Sequence, residues 1–475
     1  ADDLHQSGIG PLGDIAGEEL GEFGRSGEIL ALQAIAHHLI VFNLDGAPTL
    51  PSGKIDYVRV RTMGEEFHRK ETAEAATGDD PVRALYGKAL GIAQIDDDAS
   101  FSTLGGDSLS YMVVSRGLEK MLGSLPQHWE RLTVHDLDML RQDRVLNPVK
   151  SKATSTLSID VVLRLIAIST IFIGHGSPSH TTWLRGGTTI LFCLAGYSLC
   201  RFQREQFLSG KVMPAIHGAF QRIVIPYLLL MTALIFGQHI PPNPAWWTLT
   251  SVFFVDTSHR EILYSFWFIE ALVHCLLIVC GLFLIPPIRR WAKVQPFASG
   301  LALTGVGVLA FALGRYSFGS ESFSHKFDGW FYVYMLGWTF AVASKAWQKT
   351  LLVAIGSAVV AWQFGLESSR PYWFAGGLVV LAMIKEVRLP AWLGGAVSQL
   401  AAASYMAYLA HPLVLHITKY VLPQKIAFFQ NNPPAAIVLT YFGSLLAGLV
   451  GTVIWQQVSS RTLELFNRRT HQVAA

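Results

Sequence analysis

Ten apolar stretches follow one another between residue 157 and residue 456, and they limit the chain more than any other feature. Each is close to the roughly 20 residues that a helix needs to cross the hydrocarbon layer of a bilayer. The stretches lie at 157–175, 183–200, 221–239, 264–285, 297–314, 329–344, 350–365, 371–385, 400–420 and 434–456. We therefore predict a mainly α-helical protein with a polytopic membrane domain of ten transmembrane helices at 157–460.

The first 150 residues have a different composition. They hold 38 charged residues, against 33 in the remaining 325, and the 38 comprise 24 acidic and 14 basic residues. An acidic region without arginine-rich stretches does not suit nucleic acid, so we expect no nucleic-acid partner.

The loops after even-numbered predicted helices, with the C-terminal tail, hold 14 lysines and arginines, against 7 in the other loops. This asymmetry predicts that the acidic region and the C-terminus are cytoplasmic.

The cysteines and histidines do not form a recognisable disulfide or metal pattern. All four cysteines lie in apolar stretches without CxxC spacing, so we expect packing thiols: Cys193, Cys200, Cys275 and Cys280. His175 and His180 flank a flexible loop, and no HExxH run is present, so no metal site is expected. Because the chain starts at Ala1 without a signal segment, we expect a fragment or a trimmed chain rather than a secreted precursor.

A glycine turn interrupts the short helical patterns of residues 80–145. It reads Phe101-Ser102-Thr103-Leu104-Gly105-Gly106-Asp107-Ser108-Leu109. The glycines permit a tight turn, Asp107 suits the positive end of the next helix, and Ser108 is accessible at the helix start. The run resembles the prosthetic-group site of phosphopantetheinyl carrier proteins. The resemblance implies a small α-helical carrier bundle at 80–145, 4′-phosphopantetheine on Ser108, and a phosphopantetheinyl transferase as partner. The alternative is an ordinary loop with Asp107 or Ser108 as helix cap.

A second motif lies in residues 1–70. It reads Leu50-Pro51-Ser52-Gly53-Lys54-Ile55-Asp56 and looks like the closing motif of adenylate-forming enzymes. The resemblance makes Lys54 the adenylation-motif lysine and residues 1–70 a short α+β remnant of an adenylation C-terminal subdomain. Because no nucleotide-binding core precedes Lys54 here, we expect an upstream adenylation domain or enzyme to load the carrier. A surface turn with an exposed lysine is the alternative.

Two ionisable residues share a face of the first predicted membrane helix. Arg164 and His175 are 11 residues apart, about three turns, and so lie about 16 Å apart along the axis. Ionisable groups inside a membrane usually mark function. The spacing is similar to the arginine–histidine signature of the acyltransferase-3 family. Four further segments resemble that family in its order, with Ala195 where serine is usual: 190–197, 222–227, 266–269 and 404–411.

Three membrane residues are predicted to have roles, His175 because of this resemblance, Arg164 because of its chemistry and Glu270 because of its depth. His175 becomes the catalytic base, a role that suits an imidazole near neutral pH. Arg164 offers a forked cation for a phosphate or a polarised carbonyl of the donor. Glu270, at a depth similar to His175, is predicted to orient the imidazole, the alternative being a pair with His274 one turn away. An interfacial histidine and a snorkelling arginine are the structural alternatives for His175 and Arg164.

Five more side chains are candidates for lining a tunnel: His274, Tyr405, His411, Arg222 and Trp267. For His411 we favour a core hydrogen bond over tunnel lining, and for Tyr405 we favour packing or an interfacial position over a catalytic role.

The fusion of the two resemblances predicts an enzyme. An acyl or aminoacyl group would pass from a thioester on Ser108 to a hydroxyl or amine acceptor, with His175 removing the acceptor's proton. A tethered carrier would replace a diffusing donor by a high local concentration. The family resemblance makes a cell-envelope glycan or lipid plausible as acceptor, beside a natural-product intermediate, and it implies a bacterial inner membrane with membrane lipid around the helices. A transporter or flippase and a non-catalytic membrane tether are the alternatives.

Overall fold

The computed structural model describes residues 80–92, 94–146, 154–177, 184–237, 241–254, 266–318, 326–426, 428–429 and 432–474. Lys54, His180 and the predicted adenylation remnant lie outside these residues and stay predictions. Within the described ranges the chain is mostly helical, with one two-stranded sheet. The predicted helical class is therefore confirmed.

Three helices and a short 3-10 turn follow one another in the predicted carrier region: α1 (Pro81–Leu90), α2 (Ser108–Leu122), Trp129–Arg131 and α3 (Val134–Leu146). Helix α1 begins where the Asp80 side chain accepts the backbone N–H of Arg83, with proline in the first turn. It ends at Gly91, whose φ of 70° places it in the left-handed region that glycine tolerates. Apolar side chains from the three helices and the turn before α2 form one core, which includes Val82, Tyr86, Phe101, Val114, Leu118 and Leu137.

The membrane part begins with strand β1 (Thr154–Ser158), which pairs antiparallel with β2 (Glu386–Pro390). Its first helices are α4 (Ile159–Gly176), α5 (Gly187–Leu208), α6 (Met213–Ala219), α7 (Ile225–Gly237), α8 (Pro244–Trp247) and α9 (Ser251–Phe254). The middle helices are α10 (Trp267–Leu284), α11 (Pro286–Val294), α12 (Pro296–Phe318), α13 (Phe331–Val342), α14 (Ala346–Phe364) and α15 (Arg370–Met383). The last are α16 (Ala391–His416), α17 (Leu422–Lys425) and α18 (Pro433–Ala474).

Each of the ten predicted membrane spans coincides with helix, but the helices differ in length and polarity. Among the described residues, six are long and apolar enough to cross a membrane: Ile159–Gly176, Met213–Gly237, Trp267–Leu284, Pro296–Tyr316, Ala391–Lys425 and Pro434–Ser459. Helices α13 and α15 have only 12 and 14 residues. A membrane domain is thus supported by six helices, and the count of ten stays a prediction.

Helices α5 and α13 pack with their backbones in direct contact. A Cβ atom at Gly196 would lie 1.8 Å from the carbonyl oxygen of Tyr334, and one at Gly337 would lie 1.8 Å from that of Cys193. Small residues at such crossings let membrane helices approach closely. The four cysteines are free and buried in helix packing.

The carrier helices pack against the end of the membrane helices at which α4 begins. Three membrane-domain side chains, Val161, Phe202 and Ala401, belong to the same apolar cluster as the carrier core. Residues 80–475 accordingly form one compact unit. The carrier is therefore docked, and its contacts with the membrane helices define the site.

Candidate functional site

The turn before α2 fixes the position of Ser108. The Asp107 Oδ1 atom accepts the backbone N–H of Leu109 at 3.1 Å and of Ser110 at 2.9 Å, while the Ser110 hydroxyl accepts the N–H of Asp107 at 2.9 Å. This reciprocal cap makes Ser108 the first residue of the helix. Gly105 has φ 74°, and a Cβ on Gly106 would lie 2.5 Å from the Phe101 ring, so both glycines are required by the turn. Asp107 is therefore the cap, and Ser108 follows it.

Arg222 links the membrane domain to this turn. Its Nε donates to Asp107 Oδ2 at 2.9 Å, its Nη2 to the Gly105 carbonyl at 2.8 Å, and its Nη1 to the Leu90 carbonyl at 3.3 Å. The residue lies in a π-helical turn, Phe220–Val224, between α6 and α7, a local distortion that often occurs at functional sites. Burial alone would raise the pKa of Asp107, but the charge of Arg222 and the Ser110 hydrogen bonds outweigh it and lower that pKa.

The end of α5 holds the same turn through its backbone carbonyls. Gln203 Nε2 donates to the carbonyls of Gly106 at 2.9 Å and Gly105 at 3.3 Å, and Gln206 Nε2 donates to that of Ser102 at 2.5 Å. The Oε1 atom of Gln203 is buried and has no hydrogen-bond partner within the described part of the chain. Membrane helix and carrier turn thus form a specific polar contact.

A second contact joins α5 to the carrier core. Arg201 Nη2 lies 3.3 Å from Glu130 Oε1, while its Nη1 donates to Asp160 Oδ1 at 2.9 Å. The Phe202 ring packs 5.0 Å from the Tyr111 ring and 5.6 Å from the Phe101 ring, and the Arg201 guanidinium lies 5.0 Å from the centres of the Phe202 and Tyr111 rings. A membrane-domain side chain therefore completes the aromatic core of the carrier.

A cavity of about 150 Å³ begins at Ser108 and extends between the membrane helices. On α5 its lining runs from Gln203 to Leu191, which corresponds to about 18 Å along the helix axis. Arg164 lies beside the mouth, where its Nη2 donates to Ser198 Oγ at 3.4 Å. Among the described residues no carboxylate lies within ion-pair distance of Arg164. The predicted donor-binding arginine therefore borders the same space as the predicted attachment serine.

His175 lies in the last turn of α4, at the helix end remote from the carrier, with its side chain exposed. Its Nδ1 atom is 3.2 Å from Nε2 of His411, whose own Nδ1 is 2.5 Å from the Tyr408 carbonyl oxygen. A carbonyl only accepts, so Nδ1–H of His411 donates to it and the neutral ring accepts at Nε2. His175 then carries its hydrogen on Nδ1, so the lone pair of its ring is on Nε2.

The structure corrects the predicted pairing of Glu270 with His175. Glu270 is buried, and its Oε1 accepts from the Tyr227 hydroxyl at 3.0 Å and the Ser251 hydroxyl at 2.5 Å. Its Oε2 accepts the backbone N–H of Val252 at 3.1 Å. The alternative pair with His274 is not formed either, since the hydrogen bonds of the Glu270 carboxylate within the described part of the chain go to Tyr227, Ser251 and Val252. The pairing with His175 was inferred from depth in the membrane, and the pairing with His274 from spacing along one helix. Neither depth nor spacing shows which groups face the carboxylate.

The other predicted tunnel residues divide into two groups. Arg222 and Tyr405 line the cavity, and the Tyr405 hydroxyl donates to the Ile223 carbonyl at 2.6 Å. His274, His411 and Trp267 do not line it: His274 packs against Phe253, His411 lies behind Tyr408, and Trp267 packs against Trp330. Sequence reasoning missed Gln203 and Ser198, which line the cavity from α5; for Ser198, a hydroxyl within the apolar part of that helix was the signal.

Two family models match the chain. One, described as an acyltransferase domain of the acyltransferase-3 type, matches residues 157–453, and the other, described as a phosphopantetheine attachment site, matches residues 80–128. No curated protein and no solved structure matches the chain. The second match contains Ser108 and the first contains Arg164 and His175, so the cavity lies between the two matched regions.

Proposed function

Because the chain belongs to the acyltransferase-3 family and also carries a phosphopantetheine attachment domain, we propose that it is a membrane acyltransferase supplied by its own carrier. The acyl group would be held on Ser108 and transferred to a hydroxyl or amine acceptor. The observation that carries this proposal is the docked position of Ser108 at the mouth of the cavity in the acyltransferase domain. A carrier that served only as a membrane tether would not need Ser108 at the mouth of this cavity.

The residues around Ser108 fit a phosphopantetheine arm. The group, when attached, supplies the acyl donor as a thioester. Arg164 makes no close ion pair within the described ranges, where Asp107 and Asp160 act on its charge only from a longer distance. Its guanidinium is therefore suited to pair with a phosphate, and the adjacent start of α2 favours negative charge as well. The unpartnered Oε1 of Gln203 lines the same mouth and is suited to accept an amide N–H. Burial of an acceptor without a hydrogen bond costs free energy, so an amide N–H of the arm that donated to Gln203 Oε1 would remove that cost.

The histidine pair supports a general-base mechanism. With Nδ1–H of His175 directed at His411, the basic lone pair of the His175 ring is on Nε2, the atom that would take the proton of an acceptor hydroxyl or amine. His411 touches no reacting atom in this scheme and acts as a positioning residue. It therefore takes the orienting role that the sequence suggested for Glu270.

The proposed sites for the donor and the acceptor lie towards opposite ends of α4. Arg164 and the carrier lie at one end and His175 at the other, about 16 Å apart along the axis. The acceptor would thus approach from the side opposite to the carrier. We propose a bacterial inner membrane with a cytoplasmic carrier and C-terminus, and an acceptor that is a cell-envelope glycan or lipid or a natural-product intermediate. An upstream adenylation enzyme and a phosphopantetheinyl transferase would load Ser108.

The test follows a labelled acyl group in membranes that contain the full chain. A phosphopantetheinyl transferase and a radiolabelled acyl-coenzyme A load Ser108, and labelled acceptors are then extracted and counted. Ser108→Ala should abolish loading, whereas His175→Ala should preserve loading and lose transfer by about a hundredfold or more. His416→Ala, on the same helix as His411, is the matched control and should retain transfer. Transfer that survives His175→Ala would show that His175 is not the base, and a loaded native chain that transfers no acyl group would favour transport or tethering instead.

A further inference from the structure

The walls of the cavity differ in charge from the mouth to the inner end. All three charged lining residues, Asp107, Arg164 and Arg222, belong to the mouth beside Ser108. Deeper lining residues on three helices are uncharged and apolar: Ile168, Leu191, Ala195, Phe268 and Leu272. The inner half of the cavity therefore offers an apolar surface at membrane depth.

Two of the hydroxyl groups that line the cavity are already engaged. The Tyr405 hydroxyl donates to the Ile223 carbonyl at 2.6 Å, and the Ser404 hydroxyl donates to the Ala401 carbonyl at 2.7 Å. The carboxylate of Glu270, which follows Phe268 by two residues, accepts three hydrogen bonds from its own neighbours. Asp107, the acidic residue that lines the cavity, is held by Arg222 and by the helix cap. No carboxylate among the described lining residues is left to receive a cation.

From this charge distribution we infer that the acyl group carried on Ser108 is uncharged and apolar, and that an aminoacyl group with a protonated amine is rejected. The inference rests on the proposed function and narrows its donor. An ammonium group in the inner cavity would lose its hydration without gaining an acidic partner, and burial of such an unpaired charge is strongly unfavourable. The charge of Arg164 at the mouth would add repulsion. An alkyl or aryl group would instead bury apolar surface against Leu191, Phe268 and Leu272.

Three photoreactive arms would test this inference on the full chain in detergent. A broad-range phosphopantetheinyl transferase attaches each arm to Ser108 from a coenzyme A analogue, with the acyl group joined by a stable amide. One arm carries the diazirine alone, the second an alkanoyl group with the diazirine, and the third an alkanoyl group of the same length with the diazirine and a terminal ammonium. Intact mass verifies equal loading, and peptide mass spectrometry maps the crosslinks.

We expect the alkanoyl arm to crosslink to α4, α5 and α10 at the inner wall, and the ammonium arm to do so at least about tenfold less. Leu272→Glu adds a carboxylate to this wall and should raise crosslinking by the ammonium arm, while the isosteric Leu272→Gln should not. If Leu272→Glu does not fold, Ala195→Asp places a carboxylate on the wall from α5 and should likewise raise crosslinking by the ammonium arm. Equal crosslinking by the two acylated arms in the native protein would overturn the inference.

Failure of the proposed function has a different signature. If the arm with the diazirine alone loads onto Ser108 but gives no crosslink inside the cavity, the arm does not enter the acyltransferase domain and the proposed function fails. If that arm crosslinks inside the cavity and the two acylated arms do not differ, only the inference about the acyl group fails.

Discussion

Replacing Arg222 by methionine would test the docked carrier most directly. The substitution removes donors to Asp107, Gly105 and Leu90 while retaining much of the side-chain volume. Asp107 keeps its cap bonds but loses its cation. The Arg222 and Asp107 side chains are only 12% and 23% exposed, so solvent screens the pair weakly. We expect the turn around Asp107 to detach from the membrane domain more often.

The size of the effect follows from this geometry. A hydrogen bond to a charged group contributes about 1.5–3 kcal/mol in proteins. Partial exposure of the pair argues for the lower part of that range, so we expect docking to weaken by about 2 kcal/mol. This loss corresponds to roughly a 30-fold change in the ratio of the docked turn to the open turn.

The assay is the rate at which a broad-range phosphopantetheinyl transferase modifies Ser108 in the full chain, measured by intact mass. Because docked Ser108 borders the cavity, docking competes with the transferase, and Arg222→Met should accelerate modification by up to about 30-fold. Arg204→Met is the control, since Arg204 pairs with Glu205 and not with the carrier. If Arg222→Met and Arg204→Met were both modified at the native rate, the docking argument would be refuted.

The same contact predicts a pH dependence. Burial opposes ionisation of Asp107, but Arg222 and Ser110 more than offset it, so the pKa of Asp107 is lower in the docked state than its ordinary value. The ionised carboxylate therefore stabilises docking above the ordinary pKa, and this contribution is lost as the pH falls through the docked-state pKa. Modification of the native chain, relative to Arg222→Met, should accelerate with acidification. A ratio that stays constant as the pH falls below the ordinary pKa of an aspartate would contradict the assignment.

Three further substitutions test separate parts of the structure. His411→Ala should lower acyl transfer by about a hundredfold and change its pH profile while Ser108 loading stays normal, because the His175 ring loses its orienting partner; an unchanged pH profile would mean that His411 only packs. Phe202→Ala should lower the free energy of unfolding by about 3–5 kcal/mol in thermal unfolding of the docked unit, since its ring is 2% exposed within the carrier core. A loss under about 1 kcal/mol would contradict that packing. Gly196→Leu should abolish monodisperse protein in size-exclusion chromatography, because its Cβ would overlap the Tyr334 carbonyl, whereas Gly174→Ala, with nothing within 4 Å of its Cβ, should not.

Local patterns in the sequence predicted the elements well. Apolar stretches of sufficient length predicted the helices of the membrane domain, since a bilayer requires internally hydrogen-bonded backbone. The glycine turn with its acidic cap predicted where α2 begins, because both determinants lie within four residues of Ser108. Both predictions depend on short-range steric and hydrogen-bond requirements.

Contacts between distant residues could not be predicted in the same way. His175 meets His411 across 236 positions, and Arg222 meets Asp107 across 115. The prediction for Glu270 used only depth along a helix, and depth does not specify the direction in which a side chain points or which hydroxyls face it. The residues were recognised as candidates, but their pairing is a property of how the helices pack.

The docking contacts also bear on how one serine can serve two partners. Ser108 must be accessible to the enzyme that attaches the arm, and it must also stand at the cavity mouth when the acyl group is transferred. The polar contacts of Arg222 and Gln203 with the turn are only partly shielded or are made to backbone carbonyls that water can also satisfy. Such contacts contribute a few kcal/mol in total, which favours docking and still permits release.

Phe202, by contrast, sits inside the carrier core. Release of the whole carrier would therefore expose that ring and cost far more than release of the turn. We expect loading to proceed through local opening of the turn around Asp107, with Phe202 still in place. Hydrogen exchange would then show faster exchange at Leu109 and Ser110 than at the buried amides around Val114, and equal exchange at both would indicate release of the whole carrier.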